Sequence, residues 1–460
     1  MIGHMTLSQL REPCDGRILH GDAEFGAVSI DSRALKTGDL FVAIVGKNFD
    51  GHDFLAEAQS KGAIAALVSK ETDVKLPQLI VEDTTASLGV MSGINRQKSK
   101  ARIIALTGSQ GKTTVKEMTG AVLSRLGPAL VTMGNLNNEI GVPLTLLALS
   151  EEHEYGVIEL GANHAGEISY SAAITDPDLA AITNAAHAHI EGFGSLDGVA
   201  ESKGEIIDEL KTGGTMVLNA DDQYFNTWCT RASTHRVVSF SITSSKSEYF
   251  ASNLQRQESG CFSFTLNANG IRRQVNLGIM GRHNVVNAVA SAAISIEAGA
   301  SPEQVVEGLE SFLPVRGRLV PVEGISQSRI IDDSYNASPE ALKAGIDVLT
   351  GYQGKKLLIM GDMAELGAIS RSAHEEIGSY ASESGVDLLL GIGDETMHSV
   401  KTFGHGGRHF ENKKELLKAC KELITADTTI LVKGSRRAAM EEVAESLKAK
   451  SDTEAGRKVR

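Results

Sequence analysis

Residues 102–114 read Arg-Ile-Ile-Ala-Leu-Thr-Gly-Ser-Gln-Gly-Lys-Thr-Thr. Positions 103–106 are a short apolar run of the kind that becomes a buried strand. Gly108 and Gly111 let the backbone turn tightly and approach a ligand with no Cβ in the way. Lys112 supplies a fixed positive charge for phosphate oxygens, and the Thr113 hydroxyl is placed for Mg2+. Val115, Met118, Val122 and Leu126 then recur at helical spacing. Strand, glycine loop, Gly-Lys-Thr and helix predict an anion cradle at a helix N-terminus. The usual phosphate-loop pattern has glycine at position 106, where this chain has Leu106, so the loop is a variant.

Outward from the loop, 460 residues suggest two to four domains. Apolar residues at 42% and charged residues at 22% are ordinary for a soluble globular protein. Forty-seven glycines against nine prolines suit many strand-to-helix turns. A net charge of −13 argues against an extended nucleic-acid surface, though not against a local phosphate site built from a few close groups. Cys14, Cys229, Cys261 and Cys420 have no paired spacing and read as reduced thiols of a cytoplasmic protein. No apolar run is long enough for membrane insertion, and the first residues lack the regions of a signal peptide.

Before the loop, apolar runs at 28–33, 40–44 and 63–68 predict short strands, with an amphipathic stretch at 53–61. Residues 84–100 read as a connecting helix. After the loop, strands expected at 155–160, 179–184, 215–219 and 236–240 alternate with helices, which implies a mostly parallel sheet. Alternation over 249–277 with Asn269-Gly270 predicts an antiparallel hairpin. Pro314 and Gly317 mark a hinge. Beyond it, strands at 328–332, 356–360, 386–392 and 428–432 form a second doubly wound α/β pattern. The tail from about residue 449 is charged and expected to fray. The predicted fold class is α/β in three domains: a small N-terminal unit over 1–83, a central phosphate-loop domain with a parallel sheet over 84–314, and a Rossmann-like C-terminal domain over 315–460.

Chemistry concentrates at predicted strand ends. Glu159 sits at one, two strands on from the loop, where a metal–nucleotide site would want a carboxylate. His189 follows the next strand end, and Lys203 opens a helix. Each of these also reads as an ordinary solvated or capping residue.

These stretches together resemble the Mur ligases of peptidoglycan synthesis, over essentially the whole chain. The loop 107–114, the segment 132–143 (Thr-Met-Gly-Asn-Leu-Asn-Asn-Glu-Ile-Gly-Val-Pro), the histidine segment 184–194 and Gly-Arg-His-Asn-Val-Val-Asn at 281–287 are similar to the family's motifs in order and spacing. Lys203 falls where the family carries a carbamylated lysine. Residues 331–339, Ile-Asp-Asp-Ser-Tyr-Asn-Ala-Ser-Pro, together with 361–367 and 433–436, resemble the branch that adds a terminal dipeptide. Ser338 stands where that branch usually has asparagine. The Asp-Asn-Pro-Arg signature of many enzymes that add the third residue is absent.

The resemblance implies a ligase that uses ATP and Mg2+, with UDP-N-acetylmuramoyl-tripeptide and D-alanyl-D-alanine as partners and a monomeric state. It implies nucleotide contacts from Gly108, Ser109, Gln110, Gly111, Lys112, Thr113, Thr114, Asn284, Asn287, Arg318 and Asp333. It implies substrate contacts from Ser32, Arg33, Asn135, Asn138 and Asn336. Lys112, Glu159, His189 and Lys203 would be catalytic, and Thr113, Glu159, His189 and Lys203 would hold metal. The rival readings are a third-residue-adding Mur ligase, a folylpolyglutamate-type ligase and, from another class, a nucleotide-switch ATPase. The switch leaves His189, Lys203 and the two outer units without a purpose.

Overall fold

The computed structural model describes residues 1–46 and 48–449. The expectation that the tail from about 449 frays lies almost wholly outside them. The chain is an α/β protein with three principal sheets, one in each predicted unit.

The central sheet has nine strands. In spatial order they are Ile271–Met280, Cys261–Ala268, Tyr249–Arg256, Arg236–Ser241, Thr215–Asn219, Leu179–Ile182, Arg102–Thr107, Tyr155–Glu159 and Ala129–Val131. The phosphate-loop strand, Arg102–Thr107, lies between Leu179–Ile182 and Tyr155–Glu159, parallel to both. Its side chains alternate across the sheet, as the pleat requires. Ile104 and Leu106 pack with Val115, Met118 and Val122 of the following helix and with Val285 and Val289 on one face. Ile103 and Ala105 pack with Ile158, Ile182, Val199 and Met216 on the other. A strand buried on both faces reads as a continuous apolar run, which is why the sequence marked it so clearly.

Several boundaries differ from expectation. The loop helix spans Lys112–Leu123, beginning directly at the glycine loop and not at Val115. Its amphipathic spacing marks the buried stripe, whereas backbone geometry after Gly111 sets the start. The expected hairpin is three antiparallel strands, with a two-residue turn at Asn269-Gly270 and a second turn before Cys261. Three edge strands, Ala129–Val131, Val320–Glu323 and Gly407–Phe410, had no distinct signal, because edge strands are short and only half buried. Glu159, two strands from the loop in sequence, sits next to it in space, paired with Leu106.

The C-terminal sheet runs Val320–Glu323, Arg329–Asp333, Thr428–Lys433, Lys355–Gly361, Leu388–Ile392, Gly407–Phe410, parallel except at its first strand. The N-terminal sheet runs Arg17–Leu19, Gln78–Ile80, Ala65–Val68, Leu40–Val42, Val28–Ser29. The helix Thr84–Lys98 ties this unit to the centre. Leu88 and Met91 enter the N-terminal core. Asn95 Nδ2 donates to the carbonyls of Leu146 (2.8 Å) and Leu149 (3.2 Å) of the central unit. Arg96, 3% exposed, donates to the carbonyls of Thr175 (2.9 Å) and Asp176 (2.8 Å) and to the Asp178 carboxylate (3.3 Å).

Removing the Arg96 guanidinium strands the Thr175 and Asp176 carbonyls under the helix and leaves the Asp178 carboxylate to Lys211 and the Ile103 amide. Arg96→Ala should destabilise the central unit by about 3 kcal/mol. Urea denaturation followed by the fluorescence of Trp228, which is buried in that unit, checks this; a shift under about 1 kcal/mol would mean the strut is not held there.

Candidate functional site

The carboxyl ends of the central strands open into a cleft of about 520 Å³, within the usual range for small-molecule sites. The third unit forms its opposite wall, contributing Arg318, Asp333, Tyr335, Asn336, Ser338 and Lys433.

The glycine loop is held in place by its neighbours. The amide of Ser109 donates to the Asn184 carbonyl (2.9 Å), and that of Gln110 to Asn184 Oδ1 (2.9 Å). Thr183 Oγ1 donates to the Gln110 carbonyl (2.6 Å). Two positions demand glycine. Gly108 has φ +147°, and a Cβ there would lie 2.0 Å from Thr183 Oγ1; Gly111 has φ +79°, and its Cβ would lie 2.3 Å from Asn287 Oδ1. Gly111 caps the loop helix without a side-chain acceptor, so the first helical amides are left facing the cleft. Lys112 Nζ donates to the carbonyls of Gly108 (2.6 Å) and Ser109 (3.3 Å). Burial pushes this ammonium below its ordinary range, against the pull of Glu159. Thr113 Oγ1 accepts from Arg318 Nη2 at 3.0 Å, so a cation of the third unit already touches the loop.

Glu159 is buried, with Oε1 accepting from Asn137 Nδ2 at 2.8 Å. Its Oε2 has no hydrogen-bond partner, although Lys116 Nζ lies 3.7 Å away. His189 has φ +57° and meets the carboxylate of Glu365, itself at φ +63°. The two are in close contact, but Nδ1 is out of line for a hydrogen bond. Burial lowers the imidazole below its usual range, with Glu365 opposing and Lys112 and Lys203 adding to it.

Among the described residues no three His, Cys, Asp or Glu side chains form a metal cage. The donors fit Mg2+ of the kind held by one or two protein oxygens together with phosphate oxygens. The free Oε2 of Glu159 and the hydroxyl of Thr113 on the same cleft wall are that set.

On the far side, Asn284 Nδ2 donates to the Met280 carbonyl (2.7 Å), and Asn287 Nδ2 to Asn284 Oδ1 (2.8 Å). His283 beside them is pushed down to about 4 by burial, with Lys433 adding to the effect. Lys433 Nζ bonds Asp333 Oδ2 (2.6 Å) and the Asn336 carbonyl (2.9 Å). Gln110 Nε2 donates to Ser338 Oγ (3.0 Å) and Glu340 (3.3 Å), and His187 Nδ1 pairs with Glu340 at 2.7 Å. Ser338 also caps the helix Pro339–Thr350, a role that serine and asparagine share.

The structure therefore gathers Ser109 to Thr114, Glu159, His189, Asn284, Asn287, Arg318, Asp333, Asn135, Asn138 and Asn336 around one cleft. Gly108 lies behind, as the turn that shapes the loop. Lys203 does not line the cleft: it is 2% exposed on the helix Leu196–Asp208, with Nζ 5.1 Å from the centre of the Phe193 ring. Burial, reinforced by Lys112, pushes its ammonium down to about 7. Ser32 and Arg33 stay with the N-terminal sheet, where Arg33 grips Asp31 at 2.9 and 2.8 Å and its side chain is 85% exposed. Sequence reasoning missed Lys116, Asn137, Asn184, His283, Glu365 and Lys433. Asn137, Asn184, His283, Glu365 and Lys433 stand inside the quoted motifs. Lys116 gave no signal beyond being a lysine one turn after Lys112 on the same helix.

Family models match most of the length: the Mur ligase family catalytic domain over 24–106, the Mur ligase middle domain over 106–295 and the Mur ligase glutamate ligase domain over 317–436. The UDP-N-acetylmuramoyl-tripeptide–D-alanyl-D-alanine ligase of Escherichia coli is 44% identical over 96% of this chain and 98% of its own. A crystal structure of MurF from Acinetobacter baumannii superposes with a TM-score of 0.91 at 35% identity, covering 97% of this chain and 99% of that one. MurF ligase from Thermotoga maritima in complex with ADP superposes with a TM-score of 0.81 at 28% identity, covering 91% and 96%.

The glycine geometry generates a direct test. Gly111→Ala forces either strain at positive φ or displacement of Asn287. Calorimetric titration with ADP should show at least a tenfold loss of affinity, about 1.4 kcal/mol, with circular dichroism unchanged. Unaltered ADP affinity would remove the loop from the nucleotide site.

Proposed function

The chain belongs to the Mur ligase family, and on that premise we propose that it joins D-alanyl-D-alanine to UDP-N-acetylmuramoyl-tripeptide, using ATP, in the assembly of the peptidoglycan precursor. The observation that carries this reading is one cleft holding the phosphate loop, the Glu159 carboxylate and the third unit's Arg318, in a chain similar to that ligase from end to end. The absent Asp-Asn-Pro-Arg signature disfavours third-residue addition. No helix among the described residues is long and apolar enough to cross a membrane.

The three units divide the work. Residues 1–83, with Ser32 and Arg33, take the UDP end; residues 84–314 take ATP; residues 315–460 close over it. A carboxylate oxygen of the tripeptide attacks the γ-phosphorus, the bond to ADP breaks, and an acyl phosphate forms. The free amine of the dipeptide attacks the acyl carbon, and the tetrahedral intermediate expels phosphate and loses a proton to give the amide. Little of this needs covalent help from the protein; it needs alignment and neutralisation of phosphate charge. Lys112 and the loop amides meet the phosphates, and Arg318 brings a second cation from the opposite wall. Asn284 and Asn287 form the base side. Asn135, Asn138 and Asn336 are neutral donors and acceptors for the peptide substrates. Thr113 and Glu159 would hold one Mg2+, and His189 with Lys203 a second, each supplying further neutralisation of phosphate charge. A product assay offering D-alanyl-D-alanine against single amino acids tests the substrate assignment: ligation of a single amino acid in preference to the dipeptide would overturn it.

Lys203 suits this role only as a carbamate. A free ammonium repels a dication, and hard cations want oxygen. Its depressed pKa, about 7, leaves much of the amine neutral near pH 7. That amine can add carbon dioxide and release a proton, converting a buried cation into an anionic oxygen ligand. Lys203→Ala should lose more than about 10-fold in turnover, and acetate or bicarbonate should restore part of it. Full activity in the variant would return Lys203 to an ordinary buried lysine.

A further inference from the structure

Lys116 is a buried cation that the reaction scheme does not use. It is 0% exposed, lies on the loop helix one turn after Lys112, and is absent from the cleft lining. An ammonium has three N–H donors. Two carbonyls accept from it, those of Thr132 (2.7 Å) and Gly134 (3.1 Å), and Glu117 Oε1 pairs with its charge at 3.0 Å without hydrogen-bond alignment. Glu159 Oε2, at 3.7 Å, is beyond hydrogen-bond reach and has no other partner. Lys116 thus places a positive charge, shared with Glu117, beside Glu159 Oε2 without hydrogen-bonding it. Glu159 Oε1 is fixed by Asn137, from the same loop that Lys116 anchors by its carbonyls.

We propose that Lys116 is a resident counter-cation at Glu159: by its charge and by the loop it anchors, it makes retention of a divalent cation depend on nucleotide phosphates. The inference rests on Glu159 as a metal ligand. One carboxylate already balanced by an ammonium binds a dication weakly, because the ammonium repels it at close range in a dry environment. The phosphates of a nucleotide on the glycine loop add the negative charge that tips the balance. The metal then arrives with the nucleotide, and the empty cleft does not trap it.

The test is Mn2+ binding to the full chain at pH 8, followed by electron paramagnetic resonance, with Mn2+ alone and with Mn2+ plus ADP. Wild type should bind Mn2+ alone at least tenfold more weakly than with ADP. Lys116→Met should bind Mn2+ alone at least tenfold more tightly than wild type. Lys116→Gln, which keeps an amide for the two carbonyls, should do the same and guards against a methionine variant that loosens the loop. Folding is checked by circular dichroism. Lys116 variants with no gain for Mn2+ alone would reduce Lys116 to a loop clamp. Wild type binding Mn2+ equally well with and without ADP would overturn the proposal even if neither variant folded. Glu159→Gln separates the two layers: if it leaves Mn2+–ADP affinity unchanged, the assignment of Glu159 as metal ligand fails, independently of Lys116.

Discussion

Charge is buried at the carboxyl edge of the central sheet, and the rest of the structure is arranged to support it. Lys116 and Glu159 lie there with little solvent around them, and half-buried Lys112 lines the cleft beside them. A buried charge must be paired or hydrogen-bonded, or it neutralises itself. The protein uses backbone carbonyls for the two ammonium groups and a side-chain amide for the carboxylate, leaving one carboxylate oxygen free. That unsatisfied carboxylate oxygen, on the cleft wall that also carries Thr113, is the feature with the clearest chemical direction.

The two walls of the cleft come from different units; polar contacts join them at the loop, and away from it Met280 of the central unit enters the third unit's apolar core. Arg318 reaches Thr113, Gln110 reaches Ser338 and Glu340, and His187 and His189 reach Glu340 and Glu365. Contacts of this kind exchange readily for contacts to ligand and water, as suits walls that must part for substrate and product. Strain is also placed there, since both partners of the His189–Glu365 contact hold left-handed backbone.

The N-terminal unit is joined to the centre through one helix. Its connecting helix is sealed into two cores at once and pinned by Asn95 and Arg96 to carbonyls of the central unit.

The loop and the order of strands and helices were legible in the sequence because their causes are local. An apolar run, two glycines that tolerate positive φ and a lysine at the helix start lie within a dozen residues. Motif spacing likewise carried the family resemblance, and Glu159, His189, Asn284, Asn287, Arg318 and Asp333 do converge on the loop. Lateral strand order was not legible, because apolar patterning says which face is buried and not which strand lies beside it. Hence Glu159 turned out to adjoin Leu106 directly. The environment of Lys116 was hidden for the same reason: its partners come from another loop, and nothing in its own helix names them. Arg318 and Thr113 are 205 residues apart in the chain. Tertiary structure alone brought their side chains into contact, because only the packing of one unit against another decides which buried charges share a cleft and which, like Lys203 under Phe193, stay behind its wall.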